Sequence, residues 1–200
     1  LMGSFDPIHV GHLNMVSAAL NSGLIDTVVI VPSGHNPWKK EEPAPFEYRL
    51  QMISESIKPF VEKCIVSGIE GKFDPPYYAN KSLNFFRETY KNDNLFIICG
   101  SDTVLKIPHW KSFETDILPY YGIIEITRDK GVGNSGVVGA NMEITLESGK
   151  VTNYSYTTVF TTELNISSTL IRDYVKNNLE LYPLLPKEVI EIINKNNLYK

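Results

Sequence analysis

Short apolar runs alternate with segments of helical periodicity along this chain, and that alternation limits the folds open to it more than any other feature. Leu1-Met2 has the character of a buried strand's end. Val10, Leu13, Val16 and Leu20 then recur at helical spacing, and Gly23 is placed to end the helix. Residues 26–32 form a β-branched run that reads as a strand buried on both faces. Phe46, Leu50, Ile53 and Ile57 give a second helix, and residues 63–67 a further strand. Leu83, Phe86 and Tyr90 mark a third helix, running through Arg87. Leu95-Phe96-Ile97-Ile98-Cys99 is the most strand-like run of all, and residues 122–127 make another after a short helical stretch. Strands alternating with helices predict an α/β protein: a parallel sheet with helices on both faces, binding ligands at the carboxyl ends of its strands.

Composition sets bounds on that picture. The 200 residues suit one domain spanning 1–200, and 42% hydrophobic with 21% charged residues is ordinary for a soluble globular protein. A net charge of −4 carries no basic face for a nucleic-acid partner. No apolar stretch is long enough to span a membrane, and no basic-then-apolar leader is visible. Cys64 and Cys99 each lie in an apolar, strand-like run and read as reduced core thiols of a cytoplasmic protein. A homo-oligomer is left open.

The opening segment, Gly3-Ser4-Phe5-Asp6-Pro7-Ile8-His9-Val10-Gly11-His12, carries the first chemistry. Gly3 permits close backbone approach and leaves room for a phosphate, and Asp6-Pro7 marks a turn before the helix. Free N–H groups and the positive dipole end at that helix start suit an anion. His9 and His12, three apart, share one face of its first turn. By spacing alone such a pair is a solvated face or half of a metal site. The glycine-serine turn before it, with no third ligand nearby, favours donors aimed at phosphate.

Gly131-Val132-Gly133-Asn134-Ser135-Gly136 satisfies G-x-G-x-x-G after a strand, but no helical periodicity follows, so a dinucleotide fingerprint is not supported. Residues 129–140 read instead as a mobile surface loop. Residues 142–146 and 151–156 look like a hairpin around Ser148-Gly149, and 129–161 as a whole form a loop-and-hairpin insertion. Near the C-terminus, Ile166-Ser167-Ser168-Thr169-Leu170-Ile171-Arg172 places hydroxyl residues at an N-cap and first turn, with Arg172 one turn in. Taken alone this is a capped surface helix opening the C-terminal helices of residues 168–200. Paired with the first motif, its fork-shaped donor could grip a polyphosphate.

These segments resemble the signatures of the nicotinate/nicotinamide mononucleotide adenylyltransferases, members of the H-x-G-H nucleotidyltransferases. G-S-F-D-P followed by H-x-G-H resembles the first signature, and I-S-S-T-x-I-R the second. Smaller matches fall between them in the family's order. Pro32-Ser33 with Pro37-Trp38-Lys39 resembles the loop whose lysine contacts nucleotide phosphates. Gly100-Ser101-Asp102 resembles its G-x-D, Pro108-His109-Trp110 its P-x-W, and Arg128 stands where the family has an arginine near ATP. Leu185-Pro186 through Asn197-Leu198-Tyr199 resembles its closing helix.

The resemblance implies a Rossmann-like fold of the nucleotidyltransferase type, ATP and nicotinate or nicotinamide mononucleotide as substrates, and Mg²⁺ bound through ATP phosphates and water, with no protein metal ligand. His9, His12 and Arg172 would then be catalytic. Gly3, Ser4, Phe5, Lys39, Gly100, Asp102, Arg128, Ile166, Ser167, Ser168 and Thr169 would bind ATP. Trp110 would stack on the pyridine, with Tyr78 and Ser82 nearby.

The chain departs from the pattern at Met2, where the family has a second glycine, and at Ala79 and Lys81, where bacterial nicotinate enzymes carry threonine and aspartate. Only Leu1 precedes Met2-Gly3, and a central strand needs more than two residues, so further residues are expected before Leu1. A related H-x-G-H enzyme such as phosphopantetheine adenylyltransferase, and a non-catalytic nucleotide-binding regulator, are the competing readings.

Overall fold

The computed structural model describes residues 1–34, 42–128, 136–146, 148–162 and 164–200, with Arg128 described in its backbone only. Strand β1 (Met2–Gly3) pairs in parallel with β2 (Val28–Pro32), which pairs in parallel with β3 (Cys64–Val66). In a second ladder β4 (Leu95–Gly100), β5 (Tyr121–Arg128) and β7 (Val151–Thr161) are mutually parallel, and β6 (Val137–Thr145) runs antiparallel to β7 at the edge. The two ladders meet where β1 packs beside β4.

The pleat divides the core in two. On β4, Ile98 packs into one core while Ile97 and Cys99 pack into the other; on β5, Ile124 and Ile126 oppose Ile123. Successive side chains of a strand point to opposite faces, so both sheet faces are buried. Helices α1 (Val10–Asn21), α2 (Phe46–Ser56), α5 (Ser168–Lys176) and α6 (Lys187–Lys195) supply Val16, Ile53, Ile171 and Ile193 to the first core. Helices α3 (Ala79–Thr89) and α4 (Ser101–Val104), with the short turns Ile107–His109 and Phe113–Ile117, close the second through Leu83, Val104, Ile107 and Ile117. Ile53, Ile171 and Ile193 are fully buried, and each such side chain stabilises the fold by about 1.5–3 kcal/mol.

Helix α1 ends as its sequence predicts: Ser22 N–H bonds back to Ala18 O, and Gly23 follows with φ +73°. The expected loop over 129–140 is corrected at its distal end. Residues 129–135 lie outside the described residues, but Val137 to Ala140 are strand, paired with Val159 through Tyr156. Two adjacent β-branched valines and a waiting partner strand outweigh Gly139, whose missing Cβ faces open space at the sheet edge. The hairpin is therefore longer than its alternation suggested.

Candidate functional site: a phosphate cradle built from both ends of the chain

Helix α1 begins in a turn that fixes both histidines. His9 is the N-cap, in extended backbone, and its Nδ1 accepts the Gly11 N–H at 3.1 Å. His12 Nδ1 accepts the His9 N–H at 3.3 Å, and the two rings stack with centroids 3.8 Å apart. A neutral imidazole whose Nδ1 accepts must carry its hydrogen on Nε2. Both histidines are thereby set as Nε2–H donors, His9 buried and His12 half-buried. Phe5 stands edge-on to the His12 ring at 4.9 Å, buried, with φ +46°. That left-handed backbone at a bulky residue costs about 1–2 kcal/mol, a strain the surrounding packing must hold.

The second motif docks onto this turn. A Cβ at Gly11 would lie 2.9 Å from both the His9 ring and the Ile166 γ-methyl, so only glycine lets the two segments meet. Ser167 caps α5, its hydroxyl accepting the Leu170 N–H at 3.1 Å. Ser168 Oγ donates to Pro7 O at 2.9 Å. Arg172 Nη1 donates to Asp6 O at 2.9 Å and lies 3.8 Å from Asp6 Oδ2, and its Nη2 reaches Thr169 Oγ1 at 3.3 Å. Segments more than 150 residues apart in sequence thus form one wall of donors: two imidazoles, one guanidinium and the hydroxyls of Ser167 and Thr169, both exposed.

Beneath this wall lies a buried network the sequence did not announce. Arg49 on α2 is 1% exposed, and its guanidinium donates to Ser4 O, Ser33 O, Gly34 O and Ala44 O at 2.7–3.0 Å. Burial pulls its pKa down, while Asp6 and Glu70 oppose the shift. Its position was a usable signal: Arg49 lies three residues after Phe46 and four before Ile53, on the apolar stripe, where a charge needs buried partners. Gly3 O accepts the Ser33 N–H at 2.7 Å, tying the two strand-end loops together.

The buried Glu70 accepts from Gly34 N at 2.9 Å and Ser82 Oγ at 2.7 Å. Burial raises its pKa, and those two donors and Arg49 oppose the rise. Ser82 was expected beside the mononucleotide. It is wholly buried, and its hydroxyl holds Glu70 instead.

At the end of β4, Gly100 precedes a short helical turn. Ser101 Oγ donates to Thr127 Oγ1 of β5 at 2.9 Å, and Asp102 is exposed, 3.9 Å from Lys106 Nζ. Gly3, Gly100 and Arg128 all stand at carboxyl ends of parallel strands, as expected of ligand-binding positions. Trp110 is half-buried against the second core. Beside it, Lys111 Nζ lies 4.7 Å from the centroid of Tyr78, which stands at the N-terminus of α3. Lys39 lies outside the described residues, as does the Arg128 side chain. Both cysteines are free and buried, and burial pushes the Cys99 thiol up to about 12. Among the described residues no group of His, Cys, Asp and Glu side chains could hold a metal ion, and no helix is long and apolar enough to cross a membrane.

A parallel sheet whose strand ends carry a histidine-rich helix start and a converging arginine defines a nucleotidyltransferase. The cytidylyltransferase-like family matches residues 1–174. A protein of Methylacidiphilum infernorum, named "Probable nicotinate-nucleotide adenylyltransferase", is 33% identical over 198 residues, covering 98% of this chain and 89% of that protein. One of the same name from Clostridium acetobutylicum is 31% identical, covering 98% and 96%. The fold superposes on the Plasmodium falciparum nicotinic acid mononucleotide adenylyltransferase complexed with NaAD with a TM-score of 0.72 at 22% identity, over 99% of this chain and 94% of that one. The chain belongs to the nicotinate-nucleotide adenylyltransferase family.

Proposed function

We propose that this protein transfers the adenylyl group of ATP to nicotinate mononucleotide, releasing pyrophosphate and forming the dinucleotide of NAD biosynthesis. The observation that carries this reading is the convergence of both end motifs on one turn. Arg172 and Ser168 bond to the carbonyls of Asp6 and Pro7, beside two imidazoles set as Nε2–H donors. In the reaction an oxygen of the mononucleotide 5′-phosphate forms a bond to the α-phosphorus as its bond to the bridging oxygen of pyrophosphate breaks. No covalent enzyme intermediate is required; positioning and charge stabilisation supply the catalysis.

His12 donates from Nε2 to the α-phosphate oxygens, supported by the stacked and buried His9. Arg172, with Ser167 and Thr169, holds the β- and γ-phosphates. Gly3, Ser4, Phe5, Ile166 and Ser168 shape the turn that receives the nucleotide, and Gly100, Asp102 and Arg128 serve the adenosine side, with Lys39 on the phosphates. Trp110 and Tyr78 face the pyridine. Ser82 acts at one remove, by orienting Glu70.

The cradle offers imidazole, guanidinium and hydroxyl groups. Its carboxylate, Asp6, is engaged by Ala44, Tyr199 and Arg172. That donor set fits a Mg²⁺ held by phosphates and water better than one held by the protein. When bound, the ion neutralises charge on the leaving pyrophosphate. Free, buried thiols and the absence of a spanning helix among the described residues fit a cytoplasmic setting.

The test is product formation from ATP with nicotinate mononucleotide, nicotinamide mononucleotide and phosphopantetheine offered separately. The dinucleotide should form with pyridine mononucleotides, nicotinate preferred. Turnover with phosphopantetheine alone would assign the related activity, and turnover with none would favour a nucleotide-binding regulator.

A further inference from the structure

Strand β6 closes one side of the second ladder, and among the described residues no strand pairs with its outer edge. Which backbone groups face outward follows from the pairing with β7. Gly136 O accepts the Phe160 N–H at 3.3 Å, and the Leu146 N–H donates to Lys150 O at 2.8 Å. Bonding alternates along an antiparallel ladder, so the even-numbered residues of β6 bond to β7 and the odd-numbered ones point N–H and C=O away from it. Val137, Gly139, Asn141, Glu143 and Thr145 therefore present an open row of donors and acceptors along a nine-residue strand. An exposed edge is ordinarily blunted by lysine, proline or a bulge. This strand holds no lysine or proline, and its register with β7 runs from Val137 to Thr145 without a break.

The row is complementary to itself. A two-fold axis through Asn141 sets β6 antiparallel to its copy with all nine residues paired. Val137 then faces Thr145, Gly139 faces Glu143, and Asn141 faces its own copy, each as a hydrogen-bonded pair. Glu143, the one charge in the strand, lands opposite a glycine whose missing Cβ faces open space. An axis through Glu143 would instead set two carboxylates against each other, which is unfavourable. On the other face of the strand, Val138 meets Ile144 and Ala140 meets Met142. Met142 and Ile144 pack against the second core of their own chain, but Val138 is 52% exposed. The copy's Ile144 supplies the apolar cover that Val138 lacks within one chain. We infer that this protein forms a two-fold dimer through β6, joining the two four-stranded ladders into one continuous sheet.

The test is sedimentation equilibrium of the wild-type protein, Gly139→Glu and Gly139→Lys over a range of concentrations at low salt. The wild-type mass should move from one chain toward two as concentration rises. A side chain at 139 enters open space, so both variants should keep the wild-type circular dichroism. Gly139→Glu sets like charges opposite each other twice per dimer and should raise the dissociation constant about tenfold, while Gly139→Lys sets opposite charges together and should lower it about tenfold. Adding Glu143→Lys to Gly139→Glu should restore association, which a merely misfolded variant would not regain. A wild-type protein that stays monomeric at every concentration would overturn the inference and leave the edge to a strand of some other partner. So would a dimer that glutamate and lysine shift in the same direction, or not at all.

Discussion

The phosphate cradle and the aromatic corner at Trp110 are built on opposite plans. In the cradle almost every side chain is fixed by the backbone: the Nδ1 atoms of His9 and His12 by amide hydrogens, Arg172 and Ser168 by carbonyls of the opposing motif, Arg49 by four carbonyls below. At the corner, Trp110 is half-buried, Lys111 is exposed, and their neighbour Tyr78 meets Lys111 through a ring contact at 4.7 Å. The difference matches two tasks. Stabilising charge on a reacting phosphate needs donors that do not reorganise. Admitting and releasing an acceptor needs a surface that can adapt. On this account the cradle sets turnover and the corner sets acceptor affinity and choice.

The largest test breaks the cradle's foundation. Arg49→Ala would leave the carbonyls of Ser4, Ser33, Gly34 and Ala44 without their donor. We expect about 3–5 kcal/mol of lost stability, read by denaturant unfolding. A loss below about 1 kcal/mol would mean water replaces the guanidinium. Next, His12→Ala should cut kcat by about 10²-fold or more, while stability falls by only about 1 kcal/mol through loss of its cap bond to the His9 N–H; near wild-type turnover would remove His12 from the mechanism. Trp110→Ala should act on the other side of the comparison, raising the mononucleotide KM about tenfold with the ATP KM unchanged. A matching rise for ATP would erase the division between the two regions.

Two smaller effects sharpen it. Burial raises the Glu70 pKa from its ordinary 4.5, so its stabilising contribution is present below that value and lost as pH rises through the folded-state value. Glu70→Gln should flatten that part of the stability–pH profile, and an unchanged slope would show that another group titrates there. Lys111→Gln should lower the preference for nicotinate over nicotinamide mononucleotide by about threefold, the worth of one exposed cation. No change in the ratio would take Lys111 out of acceptor choice.

How much of this was legible in the sequence follows the same division. The cradle's donors sit on short-range signals: a glycine-serine turn before two histidines on one helix face, hydroxyl residues at the start of the helix carrying Arg172, and helical spacing behind each. Local chemistry fixes those features, so local patterns reveal them. Glu70 gave no signal, because Ile69-Glu70-Gly71-Lys72 reads as an ordinary polar turn until tertiary packing brings Ser82 and Gly34 against it. The bond from Ser82 to Glu70 is hidden for the same reason, since it joins residues twelve apart whose meeting depends on tertiary packing. The reach of β6 was hidden by its glycine-rich approach, where pairing with β7 overrides composition. The bond from Tyr199 to Asp6 could be seen only once the tail was traced back to the first turn.

The most direct measurement is calorimetric titration of ATP into the wild-type protein, Arg172→Ala and Trp110→Ala. ATP affinity should weaken about tenfold or more in Arg172→Ala, the cost of losing a charge-assisted phosphate contact, and stay unchanged in Trp110→Ala. Unchanged ATP binding in Arg172→Ala would contradict the claim that both ends of the chain converge to hold the triphosphate.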